Sequence, residues 1–285
     1  MNEDEKKEIL KNLFDRGVSA IYPNRANLEE RLKSSEKLKF YCGIDPTGPT
    51  LHLGHAIQLK KLSELQSLGH STILIIGDFT AMIGDQPGKL STRKSLSREE
   101  VLGNAKLYKK QASRWLKFSG ENKAVIKYNS RWLSKMSLGD FSQLATNVTV
   151  DQMLERDMFQ KRKAEGKPIY MHEFFYPLLQ GFDSVAMDVD GEVGGNDQTF
   201  NMLMGRTLSK IISGKEKVVI ATKLLEDSLG NKMGKTEGNM VALSDDAPEM
   251  FGKIMSWADS LILPGLELCT NLTAEKIGQI KTKLE

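Results

Sequence analysis

Short apolar segments with the length of β-strands alternate with longer helical stretches along most of this 285-residue chain. A strand that is followed by a helix and a second strand usually pairs with it in parallel, through a right-handed crossover. This order predicts an α/β fold with a Rossmann-like, doubly wound parallel sheet of about five strands. The predicted strands are residues 38–44, 73–76, 124–127, 185–189 and 218–221.

Helical spacing and capping signals predict the elements between the strands. Leucines at helical spacing indicate a helix over residues 51–68, and an apolar stripe indicates helix over the first thirty or so residues. Two capping boxes, at residues 97–100 and 149–152, mark further helix starts. The first of these helices is expected to run to about residue 118.

The chain is expected to contain two regions. Residues 1–243 should form one α/β domain with a helical insertion over about residues 130–180. Strand patterns stop after about residue 244, so residues 244–285 are expected to be the start of a helical region. No glycine or proline follows its last predicted helix, so we expect the chain to be truncated there.

Composition excludes several classes of protein. The apolar fraction of 40% and charged fraction of 27% are those of an ordered globular chain, and a net charge of +3 does not by itself argue for nucleic-acid binding. Cys42 and Cys269 make neither a disulfide framework nor a zinc motif, and we predict no metal site. Because no signal-peptide pattern and no membrane-length apolar run is present, a cytoplasmic protein is expected.

Two motifs near opposite ends of the chain suit a nucleoside triphosphate. The first, His52 to His55, places two imidazoles beside a glycine where a helix is predicted to begin, and helix N-termini attract phosphate. The second, Lys232 to Thr236, places two lysines and a hydroxyl on a glycine-containing loop, which suits oxygens that gain charge. The structural alternatives are surface histidines and a solvated lysine pair. Both motifs lie at breaks in secondary structure, which favours the functional interpretation.

Three polar loops are predicted at strand ends, at residues 45–50, 77–89 and 191–198. The carboxyl ends of parallel strands meet at one edge of a sheet, where ligands of this fold class bind. We therefore expect the three loops to converge on one site.

Five motifs, in the same order along the chain, resemble those of the bacterial tyrosyl-tRNA synthetases, which are class I aminoacyl-tRNA synthetases. They are residues 41–47 with 52–55, residues 77–85, residues 176–183, residues 194–198 and residues 232–236. The resemblance covers about residues 38–245. It implies that the protein activates L-tyrosine with ATP to tyrosyl-adenylate and pyrophosphate, and then transfers tyrosine to tRNA(Tyr).

The resemblance also implies the residues of the tyrosine site. Tyr41 and Asp183 would recognise the substrate's phenol hydroxyl, which can both donate and accept a hydrogen bond. Spacing places residues 176, 180 and 183 on one face of a helix. Tyr176, Gln180 and Asp85 would hold the α-ammonium, and Gln198 would lie near the substrate carboxylate. The complete implied site is Tyr41, Asp85, Tyr176, Gln180, Asp183 and Gln198.

For ATP, the resemblance implies a second set of residues. The nucleotide would be bound by Cys42, Gly43, Asp45, Thr47, His52, Gly54, His55, Asp197, Gln198, Lys232 and Lys235. The residues implied in catalysis, all able to donate to phosphate, are His52, His55, Lys89, Arg93, Lys232, Lys235 and Thr236. Many class I enzymes have serine at the position of Gly234, but the glycine form also occurs among tyrosyl enzymes.

The resemblance further implies a catalytic domain followed by the start of an anticodon-binding region, Mg²⁺ arriving with ATP, and a homodimer. The segment around Val150, Met153 and Leu154 resembles the family's dimer interface, although this apolar face could equally be buried within one chain. Two alternatives to the function remain at this point. One is a tryptophanyl-type synthetase or another nucleotidyltransferase of the superfamily, and the other is a non-catalytic RNA-binding relative.

Overall fold

The computed structural model describes residues 2–84, 96–226 and 240–284. Within these residues one six-stranded sheet has the order β1-β6-β5-β2-β3-β4, in which β1 is antiparallel to β6 and all other neighbours are parallel. The predicted mainly parallel α/β sheet is therefore confirmed, with one strand more than expected. The strands are β1 (Val18–Tyr22), β2 (Lys39–Ile44), β3 (Ser71–Ile76), β4 (Val125–Tyr128), β5 (Gly191–Gly195) and β6 (Val218–Thr222).

Helices connect the strands and cover the sheet. Those around the sheet are α1 (Glu3–Asp15), α2 (Arg25–Lys33), α3 (Leu53–Ser67), α4 (Thr80–Ile83), α5 (Arg98–Ala105), α6 (Tyr108–Ala112) and α12 (Thr199–Ser213). Five helices lie between β4 and β5, where the insertion was expected: α7 (Ser130–Leu133), α8 (Leu138–Ala145), α9 (Val150–Leu154), α10 (Asp157–Ala164) and α11 (Met171–Met187). The last three are α13 (Ala247–Met255), α14 (Ile262–Cys269) and α15 (Ala274–Leu284).

The order of strands changes direction between β2 and β5. The chain runs outward from β2 through β3 to β4, then returns to the other side of β2 to add β5 and β6. Loops that leave the carboxyl ends of β2 and β5 separate at this point and leave a crevice. The register places Tyr41 beside Glu192 across the two strands, just inside that crevice.

Apolar side chains bury both faces of the sheet. The largest cluster contains leucines of α1 and α3 with Phe40, Leu74 and Ile220 of the strands. On the opposite face, α11 and α12 approach each other closely at two glycines. A Cβ on Gly181 would lie 2.8 Å from the Leu208 side chain, so a larger residue would push the two helices apart. Strands that are covered on both faces read as continuous apolar runs, which is why β3 was recognisable in the sequence.

Two predictions of secondary structure are wrong. Residues 185–189 are not a strand, because residues 185–187 complete α11, which ends at Asp188 in a left-handed conformation with φ of 50°. The strand that pairs with β2 starts at Gly191 instead. The first thirty residues are not one helix, because β1 interrupts them and adds an antiparallel edge to the sheet.

Other predicted elements are confirmed or modified. The predicted helix over residues 51–68 is α3, and the capping boxes at residues 97–100 and 149–152 open α5 and α9. The helix expected to reach residue 118 is divided into α5 and α6. In the described ranges, no helix is long and apolar enough to cross a membrane.

Candidate active site

A cleft of about 350 Å³ opens at the crevice between β2 and β5. The three loops predicted to converge do so within the described residues, since Asp45, Gly77 and Asp197 all line this cleft. Most of the predicted site residues lie around it. They are Tyr41, Gly43, Asp45, Thr47, His52, Gly54, His55, Tyr176, Gln180, Asp183, Asp197 and Gln198.

The two motif histidines cap the N-terminus of α3. His52 is the N-cap residue, and its Nδ1 accepts a hydrogen bond from the Gly54 backbone N–H at 3.1 Å. The Nδ1 of His55 accepts from the His52 backbone N–H at 3.2 Å. Because each Nδ1 is an acceptor, each neutral ring carries its proton on Nε2, which is a donor. The motif therefore supplies two N–H donors beside a helix N-terminus.

Both imidazoles stay neutral near pH 7. Burial lowers the pKa of His52 to about 4, and burial together with the neighbouring His52 lowers the pKa of His55 to about 3. The ring centroids are 4.0 Å apart, so two positive charges there would repel each other. Any phosphate bound here would meet neutral hydrogen-bond donors and the helix dipole.

Glycines keep this end of the cleft open. A Cβ on Gly54 would lie 2.9 Å from the His52 ring, so glycine lets the imidazole fold over the helix N-terminus. A Cβ on Gly43 would have no heavy atom within 4 Å, and this residue lines the cleft. The backbone at Gly43 is therefore accessible to a flat ligand.

Asp45 joins the loop after β2 to two other elements. Its Oδ1 accepts from the Thr80 hydroxyl at 2.7 Å, and its Oδ2 accepts from the Tyr176 hydroxyl at 3.0 Å. Gly77 makes this contact possible, because a Cβ there would be 1.9 Å from Asp45 Oδ1. The sequence assigned Asp45 to ATP and Tyr176 to tyrosine, and the structure links the two side chains directly.

Asp183 is a buried carboxyl group held by two donors from the segment after β4. Trp132 Nε1 donates to one oxygen at 2.7 Å, and Asn129 Nδ2 donates to the other at 3.3 Å. Burial raises the pKa of Asp183 well above its usual value, against the opposing effect of these two hydrogen bonds. A carboxylate can accept further hydrogen bonds, so a donor arriving from the cleft would stabilise its charged form.

Tyr41 lies on β2 with its hydroxyl 2.9 Å from the Ser184 hydroxyl of α11. Burial raises the pKa of Tyr41 well above 10, and the charges of Glu192 and Asp183 add to the effect. Tyr41 therefore keeps its proton. Tyr176, Gln180 and Asp183 also face the cleft from α11, as the helical spacing predicted.

Several residues that contact the site were not predicted. Glu192 lies beside Tyr41 on the neighbouring strand, and its Oε1 accepts from Gln180 Nε2 at 3.1 Å. Its other oxygen accepts from Lys217, which is completely buried. The sequence did contain a signal for this pair. Glu192 lies in the glycine-rich strand β5 and Lys217 directly precedes the apolar strand β6, and burial of either charge costs free energy unless the two are paired.

The remaining predicted residues fall into two groups. Cys42 does not line the cleft but is packed in the core, where its thiol donates to Gln58 at 3.5 Å and burial raises its pKa to about 12. Six others, Asp85, Lys89, Arg93, Lys232, Lys235 and Thr236, lie outside the described residues. In the described part, no cluster of three or more metal-ligating side chains is present.

The described residues that follow the Lys232–Thr236 motif lie against the His52–His55 motif. Leu53 N donates to Val241 O at 3.1 Å, and Leu243 N donates to Leu51 O at 2.8 Å. His52 and Ala242 thus form an antiparallel bridge. The described segment that starts at residue 240 therefore lies beside the histidine motif.

Comparisons with known proteins identify the family of this chain. The family model described as tRNA synthetases class I (W and Y) matches residues 33–282. The tyrosine–tRNA ligase of Carboxydothermus hydrogenoformans is 48% identical over 290 residues, which cover 100% of this chain and 69% of that protein. The tyrosine–tRNA ligase of Haemophilus influenzae is 46% identical, with 95% and 67% covered.

Solved structures show the same fold. A C-terminally truncated mitochondrial tyrosyl-tRNA synthetase from Coccidioides posadasii has a TM-score of 0.76 at 25% identity, covering 96% of this chain and 82% of that one. The tyrosyl-tRNA synthetase from Archaeoglobus fulgidus, complexed with L-tyrosine, has a TM-score of 0.72 at 23% identity, with 93% and 80% covered. The chain belongs to the class I tRNA synthetases of the tryptophanyl and tyrosyl family and, within it, to the tyrosine–tRNA ligases.

Proposed function

We propose that this protein activates L-tyrosine with ATP, forming tyrosyl-adenylate and pyrophosphate, and then transfers the tyrosyl group to tRNA(Tyr). The family assignment supports the reaction, and one observation in the site supports the substrate. Tyr41 and Asp183, both buried, line the same cleft as the two neutral histidines. A hydroxyl recognition pair and a phosphate-binding helix terminus thus share one cavity.

The phenol of tyrosine fits the first of these features. Its O–H can donate to Asp183, and its oxygen can accept from Tyr41, so both protein groups are satisfied. An indole has no hydroxyl for these two groups, which counts against a tryptophanyl enzyme. The presence of both histidines at the helix terminus counts against a non-catalytic relative.

The α-ammonium of tyrosine fits Gln180. The amide nitrogen of Gln180 donates to Glu192, which leaves its carbonyl oxygen as the acceptor. An ammonium group has three donors and no acceptor, so it requires such oxygens. Tyr176 and Asp85 would complete this subsite, and Gln198 would lie near the substrate carboxylate.

ATP would occupy the other end of the cleft. Its phosphates would accept from the Nε2–H groups of His52 and His55, and its ribose hydroxyls would donate to Asp197. Gly43 and Thr47 line this end, and Gly54 shapes it. Lys89, Arg93, Lys232, Lys235 and Thr236 are proposed to meet the departing pyrophosphate, with Mg²⁺ entering as part of the Mg–ATP substrate.

The activation step needs no general base, because the tyrosine carboxylate is already ionised at neutral pH. A carboxylate oxygen forms a bond to the α-phosphorus, and the bond from that phosphorus to the bridging oxygen of pyrophosphate breaks. The protein contributes positioning and donors to the phosphate oxygens, and no covalent bond to the enzyme forms. Neutral donors suit this task, since they stabilise the growing negative charge.

A homodimer is also proposed, formed through the insertion. Large apolar side chains are exposed there, including Leu138, Val150 and Met171. Met153, predicted to share this face, is instead buried within the chain. Light scattering should give twice the mass of one chain, Leu138→Glu should shift the mass toward one chain, and Ile211→Glu, exposed outside the insertion, should not. A wild-type mass of one chain would contradict the proposal.

A cytoplasmic location is proposed on functional grounds, because ATP and tRNA are both used there.

The reaction is tested by amino-acid-dependent exchange of labelled pyrophosphate into ATP, measured with each of the standard amino acids. We expect exchange with tyrosine, because residues proposed to bind tyrosine and residues proposed to bind ATP line the same cleft. Exchange that is fastest with tryptophan would support the indole-specific alternative. Absence of exchange with every amino acid would contradict activation by this chain.

A further inference from the structure

A buried polar chain runs from Lys217 to the tyrosine subsite. Lys217 Nζ donates to Ser184 Oγ at 2.8 Å, and Ser184 Oγ lies 2.9 Å from the Tyr41 hydroxyl. Lys217 is fully buried and Ser184 is 1% exposed. Neither side chain lines the cleft, so a ligand there would meet Tyr41 and not the two residues behind it.

Hydrogen-bond chemistry gives this chain a direction. Lysine has only donors, so Ser184 Oγ is the acceptor of the first bond. Among the residues that the structure describes, Lys217 and Tyr41 are the two hydrogen-bond partners of Ser184 Oγ. The serine proton therefore has the Tyr41 oxygen as its acceptor. Tyr41 then accepts from Ser184 and keeps its own proton for another partner.

Glu192 is the other acceptor beside Tyr41, and its carboxylate also accepts a hydrogen bond from the Tyr41 hydroxyl. It receives a hydrogen bond from Gln180 on one oxygen and the Lys217 ion pair on the other. Burial lowers the pKa of Lys217, while the negative charge of Glu192 opposes that shift. Because Glu192 shares its negative charge with Lys217 and Gln180, a phenol oxygen entering the cleft can compete with Glu192 for the Tyr41 proton.

The fold keeps space for this group. A Cβ on Gly205 of α12 would lie 2.5 Å from Lys217 Nζ and 2.7 Å from Ser184 Oγ. A buried ion pair is weak evidence for stability, since apolar residues of similar volume often serve as well. The Lys217–Glu192 pair joins a fully buried lysine to a carboxylate that lines the substrate cleft, in a space that glycine preserves, and this arrangement suits a role in recognition.

We propose that Ser184 and Lys217 are positioning residues that hold Tyr41 as a hydrogen-bond donor to the substrate's phenol oxygen. This inference rests on the proposed tyrosine specificity and deepens it. Asp183 then serves as the acceptor and Tyr41 as the donor, so the site is complete only when a hydroxyl is present. Loss of Ser184 would leave Tyr41 free to turn its proton away from the substrate.

The test is a double-mutant cycle on the KM for tyrosine in pyrophosphate exchange. Ser184→Ala and Tyr41→Phe should each raise this KM roughly 5–10-fold, the usual effect of one hydrogen bond. If Ser184 acts through Tyr41, Ser184→Ala should add less than twofold in the Tyr41→Phe background. The KM for ATP and the kcat should stay within about twofold of wild type, because the contact concerns substrate binding.

Ser209→Ala is the matched control. Ser209 is also a buried serine, and its Oγ has no hydrogen-bond partner in the described residues. We expect no change in the KM for tyrosine. Residual exchange with phenylalanine should be unchanged in Ser184→Ala, since phenylalanine has no phenol oxygen for Tyr41 to reach.

Lys217→Met provides a second variant, with folding checked by urea unfolding. It should raise the KM for tyrosine in the same direction as Ser184→Ala, because the serine proton is no longer directed. A full additive loss in the Ser184→Ala, Tyr41→Phe double variant would overturn the proposal, as would an equal loss with phenylalanine. Wild-type exchange with tyrosine tests the proposed function separately, before any variant is compared.

Discussion

Phenylalanine is expected to support pyrophosphate exchange with a kcat/KM about 10⁴–10⁵-fold below that of tyrosine, a range for which the tyrosyl enzymes are themselves the established example. The physical reason lies in Tyr41 and Asp183. Both are buried, and removal of the substrate hydroxyl would take one hydrogen-bond partner away from a buried donor and one from a buried acceptor. The measurement is a direct comparison of the two amino acids under subsaturating conditions.

Replacement of Asp183 should reduce this discrimination. Asp183→Asn removes the charge that accepts the phenol proton, so the kcat/KM for tyrosine should fall at least about tenfold while that for phenylalanine changes less. Asp78→Asn is the matched control, because Asp78 is a buried carboxylate that accepts from Ser130 outside the cleft. It should leave the ratio unchanged. A wild-type ratio below about tenfold would contradict the assigned recognition pair.

Much of the fold could be predicted because its signals are local. The strands β2, β3 and β6 are apolar runs bounded by polar or glycine-containing loops, and α3 begins at a recognisable motif. Parallel pairing follows from the alternation of elements. The place where loops converge follows in turn, since it depends only on strand direction.

The two errors arise where tertiary context decides. The run around Val185 is apolar because Val185 packs against side chains of α8, α9 and α12 as well as α11. A short apolar run does not distinguish a strand from a buried helix. β1 is five residues long and half exposed, and its partner β6 lies about 200 residues later. Neither the competing packing nor the distant partner is visible in the local pattern.

The candidate site shows the same division. Residues within recognisable motifs, such as His52, Tyr176 and Asp183, could be named in advance, whereas Ser184, Glu192 and Lys217 could not. These three come from α11, β5 and the residue before β6. Glu192 lines the cleft itself, whereas Ser184 and Lys217 reach it only through other side chains. A residue that acts behind the surface of a site leaves no motif of its own, only an unexplained polar group among apolar neighbours.

Alanine in place of His52 or His55 is expected to lower the rate of tyrosyl-adenylate formation by about 10²–10³-fold, equivalent to about 2.7–4 kcal/mol. Each neutral ring presents one Nε2–H donor at the N-terminus of α3, where negative charge on the phosphates would develop. The dissociation constant for tyrosine should change less than twofold, because these rings would contact the nucleotide. Single-turnover kinetics and equilibrium binding of tyrosine measure the two quantities separately.

Loss of the helix cap is the competing explanation for a slow His52 or His55 variant. Removing a cap costs about 1 kcal/mol of stability, so urea unfolding at pH 7.5 must show that each variant is fully folded under assay conditions. His52→Asn is the informative companion, since asparagine is a good N-cap and restores the Gly54 contact without placing an N–H donor at the Nε2 position. It should recover stability but not rate, while His172→Ala, an exposed histidine of α11, should change neither. If His52→Asn instead restored the full rate, the histidine would serve only to cap α3, and the phosphate donors would have to be other residues of the cleft.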